Sequence, residues 1–256
     1  MIGCGINPKH RLNSDGMSLL MRAISSRSLA VMEWFRRDGF KDIYPTLRQA
    51  IVLGVAPSQA EEGQWEVANR LVEYVTDSTD GWTILHSAAQ RGHMEMVKFL
   101  VKEASTDVES KDLDGLTPLS HAALNGHLET VKFLVEEAGA DVESKDLWGC
   151  TALSWAASNG CVHVVKFLVK QAGADVEPKD LSQRTALSWA ADYGRLEVVK
   201  FLVDEAGAQV ESKDKNAKTA LDWAREQAAW SEECRAVAAW LEEEDHKSPT
   251  NVNDSG

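Results

Sequence analysis

The sequence predicts an all-α solenoid, in which short helix–turn–helix units stack side by side and share one core. Three observations carry that reading. Residues recur at a fixed step of 34: Thr83, Thr117, Thr151, Thr185 and Thr219 are in register, as are Leu85, Leu119, Leu153, Leu187 and Leu221, and Ala88, Ala122, Ala156, Ala190 and Ala224. TALSWAA is written twice, from Thr151 and from Thr185, and VKFLV occurs four times, from Val97, Val131, Val165 and Val199. Turn pairs such as Asp114-Gly115 stand just ahead of the recurring Thr. A constant period in this range marks stacked repeats, each unable to bury its apolar stripe alone.

The stretch Asp112 to Lys145 shows how one unit is built. Gly115 allows the positive φ of a tight turn. Thr117 offers a hydroxyl as N-cap, and Pro118 sits at the first helical position, where its missing N–H costs nothing. Leu119, Ala122 and Ala123 give a short helix whose small residues let a neighbour approach closely. Gly126 ends it. Val131, Leu134 and Val135 follow the i, i+3, i+4 spacing of a second amphipathic helix. AGADVESKD then returns the chain through an extended loop to the next turn.

DGLTPLSHAALNGH with GADVE, and DGWTILHSAAQRGH (Asp80 to His93), closely resemble the ankyrin repeat in its turn, first helix and hairpin loop. The resemblance covers residues 78 to 247. It departs from the family in three ways: a period of 34 rather than 33, Ser at 120, 154 and 188 in place of His, and Ala at 152, 186 and 220 in place of Pro. GADVE with TALSWAA is most similar to arrays common in filamentous fungi. The organisation that follows is a flexible N-terminus over 1–14, then two degenerate ankyrin-like repeats over 15–77 with an inserted loop at 55–63. Four regular repeats over 78–213 come next, followed by a capping repeat over 214–247 and a disordered tail over 248–256. The last unit loses its internal Gly and gains Glu, as an end that meets water requires.

The composition bounds the function. A formal charge of −13, from 40 acidic and 27 basic side chains, disfavours nucleic acid and anionic membranes as partners. Four scattered cysteines do not make a disulfide framework, so reduced thiols in a cytoplasmic or nuclear protein are expected. The first residues lack an apolar signal core, Ile2 excludes N-myristoylation, and no apolar run reaches spanning length. Phosphate-loop, nucleophile-elbow and zincin motifs are absent. Cys161 and His163 come nearest to a metal pair, but no second pair stands at ligand spacing, and Cys161 reads as a helix-start residue in place of the family's His. His86, His93 and His127 fall where the family uses His to support loops. No catalytic residue, cofactor or metal is therefore expected, and a monomer is.

Positions that vary between units without loss of the fold are free to serve a partner. The resemblance places them on the hairpin tips and on the exposed side of the first helices, lining a concave groove. Here the tips contribute Asp80, Trp82, Asp114, Leu116, Trp148, Cys150, Ser182 and Arg184. The helices contribute Gln90, Arg91, Leu124, Asn125, Ser158, Asn159, Asp192 and Tyr193. Trp, Tyr and Arg are enriched at interface hot spots, which points to a protein partner. The invariant Trp155, Trp189 and Trp223, at the position of Ser87 and His121, are expected to pack between units. Leu113, Leu147 and Leu181 repeat identically and are expected to pack between hairpins. The competing readings are an enzyme or metabolite-binding protein built on the array, and a part of a larger ankyrin-containing receptor or scaffold.

Overall fold

Local signals set each helix, and in the computed structural model, which describes residues 83–102 and 106–247, they do so nearly as read. The expected leader, the two degenerate repeats and the tail lie outside the described residues. Five helix pairs follow one another: α1 (Ile84–Gln90) with α2 (Met94–Lys102), α3 (Pro118–Leu124) with α4 (Leu128–Lys132), α5 (Ala152–Ser158) with α6 (Val162–Lys170), α7 (Ala186–Asp192) with α8 (Leu196–Lys200), and α9 (Ala220–Gln227) with α10 (Glu232–Lys247). There is no strand among the described residues.

Thr starts the first helix of every described unit. Thr117 and Thr185 accept the amide three residues on, at 3.2 and 3.4 Å. Thr83 and Thr219 do the same in reciprocal capping boxes, with His86 and Asp222 returning to the cap amide. Thr151 departs, making only a 3.4 Å contact between its hydroxyl and that of Ser154. The first helices stack in a row, α1 on α3, α5, α7 and α9 in turn, and the second helices form an outer row behind them. Leu85, Leu119, Leu153 and Leu187 fill the space between rows, with Val97 and Leu100, Val131 and Leu134, Val165 and Leu168, and Val199 and Leu202 opposite. All are buried. Each such Leu contributes about 1.5–3 kcal/mol through the water it excludes.

The 34th residue has a physical home. In α4 and α8 the last turn widens into π-helical turns at Phe133–Glu137 and Phe201–Glu205, where Ala138 and Ala206 donate their amides to Phe133 and Phe201, both at 3.0 Å. In α6 the corresponding bond runs from Ala172 to Phe167, also at 3.0 Å. One inserted residue is absorbed as one wide turn, and the stacking register of the units is kept.

Extended loops join the pairs and stack tip upon tip. Leu147 donates to the Asp114 carbonyl at 3.0 Å, Leu181 to Trp148 at 2.8 Å and Lys215 to Ser182 at 2.9 Å. Gly115 holds φ +79 in such a tip, and a side chain there would meet the Leu147 amide at 2.8 Å. Side chains run between the loops as well. Lys111, Lys145 and Lys179 each donate to the carbonyl of the lysine 34 residues on, and Glu109, Glu143 and Glu177 each accept an amide of the next loop.

Candidate functional site

Each hairpin begins with an aspartate that the stack buries: Asp112, Asp146, Asp180 and Asp214. Asp146 Oδ1 accepts the amides of Trp148 and Cys150 at 2.9 and 2.8 Å, which ties the tip into a turn. Its Oδ2 accepts the indole N–H of Trp155 at 2.8 Å. Asp180 repeats this with Ser182, Arg184 and Trp189, and Asp214 with Asn216, Lys218 and Trp223. In the earlier unit the Trp position is His121, whose Nε2 lies 2.8 Å from Asp112 Oδ2. The aspartate row thus fixes both the tip and the aromatic side chain of the same unit. The expected Trp ladder is therefore not sealed core: Trp155, Trp189 and Trp223 are half-buried, each with its N–H turned inward and part of its ring facing the groove. The sequence carried the signal for these aspartates, since they stand at the same 34-residue step as the Thr and Leu.

Between Trp189 and Trp223 lies a guanidinium. Arg184 Cζ sits 3.8 Å from one ring centroid and 4.1 Å from the other, and Nη2 donates to Asp192 at 2.8 Å. Lys218 covers Trp223 from its own hairpin at 4.3 Å. Planar guanidinium between indoles, with a carboxylate at its tip, satisfies cation–π attraction and an ion pair together. Two exposed aromatic residues flank the row. Trp148 meets Trp155 edge-on at 6.1 Å, and Tyr193 lies nearly parallel to Trp189 at the same distance.

Several expectations for surface residues are corrected. Leu116 and Arg184 are buried, at 5% and 8% exposure, as are Cys150 and Ser158. Leu116, Cys150 and Arg184 close their hairpins and are drawn in where units meet, and Ser158, at the end of α5, lies where Arg195 of the next unit donates to its carbonyl. Leu113, Leu147 and Leu181 depart in the opposite sense: they do not pack between hairpins but stand 70%, 64% and 62% exposed. Identity between units therefore marked a shared surface at this position. Arg91, Asp114, Asn125, Trp148, Asn159 and Tyr193 are exposed, and Leu124 and Asp192 half-buried. Asn125 donates to the His121 carbonyl and Asn159 to Leu124 of the preceding unit, and Asp192 is engaged by both Arg184 and Gln227. Asp80 and Trp82 lie outside the described residues.

The remaining polar groups serve the joints between units. His127 bonds the Gln90 carbonyl at 2.9 Å, Cys161 the Leu124 carbonyl at 3.7 Å, Arg195 the Ser158 carbonyl at 2.9 Å and Cys234 the Asp192 carbonyl at 3.4 Å. Cys161 thus stands in register with His127 and Arg195. Burial, with Asp146 and Asp180 nearby, pushes the Cys150 thiol up to about 12, so it stays protonated and unreactive. Burial and then the neighbouring His121 lower His86 to about 4, and its neutral ring bridges Thr83 and the Leu116 carbonyl. Among the described residues no group of three metal-binding side chains converges, and no helix is long and apolar enough to cross a membrane.

Helix pairs, a 34-residue stack of tips and a groove between tips and first helices define a repeat protein of the ankyrin type. A family model described as ankyrin repeats (3 copies) matches residues 58–146 and 138–214, more than half of the chain, and the chain belongs to the ankyrin-repeat family. The match begins within the region read as degenerate repeats. No curated protein matches the chain. Ankyrin repeats are in general protein-interaction modules.

Proposed function

We propose that this array binds a protein partner through its concave groove, without catalysis of its own. The observation that carries this reading is the pair of exposed aromatic side chains on the groove, Trp148 at 48% and Tyr193 at 51%, set on rigid first helices and stacked tips. Both rest on an indole that is itself hydrogen-bonded to a buried aspartate, so little rotamer freedom is left to lose on docking. Arg91, Asp114, Asn125, Asn159 and Asp192 supply the polar rim, with Leu124 an apolar contact among them. The exposed leucines 113, 147 and 181 extend the apolar surface along the tips.

The test is capture of a partner by the full chain, followed by affinity measurement. A Trp148→Ala plus Tyr193→Ala double variant should keep its helical content yet lose about 2 kcal/mol of binding, some thirtyfold. Changing Lys98, Lys132 and Lys166 on the outer helices should alter only the salt dependence. Binding that survives the aromatic double variant and fails in the lysine set would move the interface to the outer helices.

A further inference from the structure

Two neighbouring joints in the row of first helices share α7 yet differ in what lies between their indoles: the earlier pairs TALSWAA with TALSWAA, the later pairs TALSWAA with TALDWAR. Between Trp189 and Trp223 the chain supplies its own cation, Arg184, anchored at its far end by Asp192. One unit earlier the residue in register with Arg184 is Cys150, and the residue in register with Asp192 is Ser158. A thiol is far too short to cross between the rings. Among the described residues no cation lies over the Trp155 ring. This joint also carries both exposed groove aromatics, Trp148 beside Trp155 and Tyr193 beside Trp189.

Its electrostatics favour a cation. Asp146 and Asp180 are buried behind the two indoles, accept their N–H groups at 2.8 and 3.1 Å, and have no ion-pair partner among the described residues. A carboxylate at the indole N–H pushes negative charge onto the ring, which strengthens its hold on a cation lying over its face. The chain's charge of −13 draws basic partners at longer range.

We infer that the slot between Trp155 and Trp189, rimmed by Trp148 and Tyr193, receives an arginine side chain from a basic segment of the partner, in the way the next slot receives Arg184. Arginine is favoured over lysine because a planar guanidinium can stack on two indoles at once, whereas an ammonium is a compact and strongly hydrated point charge. This assignment rests on the groove reading above and narrows it to one chemistry.

The experiment uses the full chain and three probes: hexa-arginine, hexa-lysine and hexa-citrulline peptides. Indole N–H resonances are followed by NMR and affinities by titration. Hexa-arginine should move the signals of Trp155 and Trp189 to saturation, bind at least tenfold more tightly than hexa-lysine, and far outbind the neutral citrulline peptide. A Cys150→Arg plus Ser158→Asp double variant rebuilds the filled slot and should abolish that preference. If its melting shows that it has not folded, Trp148→Ala, altered only at an exposed side chain, serves instead and should weaken hexa-arginine binding at least fivefold. Equal binding of the arginine and lysine peptides, or hexa-arginine binding undiminished in a folded filled-slot variant, overturns the assignment. A captured partner separates this failure from that of the groove reading. If capture depends on Tyr193 but hexa-arginine does not compete, only the arginine assignment falls; if capture ignores every groove substitution, both fall.

Discussion

The joint holding Arg184 and the joint holding Cys150 share helix α7 and differ in what meets the indoles. In the first, a guanidinium lies against two indoles and pairs with a carboxylate through Nη2, and Arg184 is 8% exposed. In the second, Trp155 and Trp189 are held by Asp146 and Asp180 in the same way, Cys150 stands where Arg184 would, and the exposed Trp148 and Tyr193 gather there. The residue closing a hairpin, one position ahead of the helix cap, decides whether the chain itself places a cation against the indoles.

The sharpest way to break that comparison is to remove its shared wall. Trp189→Ala strips both joints at once, removes the indole donor from Asp180 Oδ2 and uncovers Arg184, so it should cost about 4 kcal/mol in denaturant unfolding. Trp155→Ala touches only the unfilled slot, and a half-buried ring with one partner lost should cost about 2 kcal/mol. Equal losses would mean that the two slots are equally packed and the contrast is void.

Removing the filler is the next largest change. Arg184→Ala leaves Asp192 with Gln227 alone in a largely buried position and should cost about 3 kcal/mol by the same measurement. Arg184→Lys should recover only part of this, since an ammonium does not bridge two rings.

At the N-terminal end of the row the aromatic position is His121 rather than Trp, and beside it His86 is held down at about 4 by burial and by His121. As pH falls, the unfolded chain takes up the His86 proton near its ordinary value while the folded chain does not. Stability from this source is full above about pH 6.5 and is lost as pH falls towards 4. Between pH 6.5 and 5 the wild type should lose about 1.5 kcal/mol more than a His86→Asn variant, read from unfolding at the two pH values.

The smallest effect lies in the hairpins that set the slots. Gly149 occupies the left-handed position at φ +81 ahead of Cys150, but Gln183 and Ala217 take it at φ +64 and +60 in the following hairpins. Ala217→Gly should raise stability by up to about 1 kcal/mol, because Cβ strain at positive φ is relieved. No gain on melting would show that the later hairpins hold this conformation without strain.

The sequence by itself determined the repeat, its helices and their caps, because these depend on interactions within a few residues: Thr hydroxyl to amide, Gly at positive φ, apolar side chains at helical spacing. It also exposed the inserted residue, though not its form as a wide turn, since only stacking against the neighbouring unit favours widening the helix over shifting the register. What it misjudged were contacts between units. Leu116 and Arg184 vary like surface residues but are buried, and Leu113, Leu147 and Leu181 repeat like core residues but are exposed. Period alone gives the phase of a side chain around its own unit; whether the next unit covers it depends on the rise and twist between units. The tertiary structure also decided that Trp155, Trp189 and Trp223 are held by aspartates nine residues earlier, a pairing that becomes close only when the hairpin folds back onto its helix.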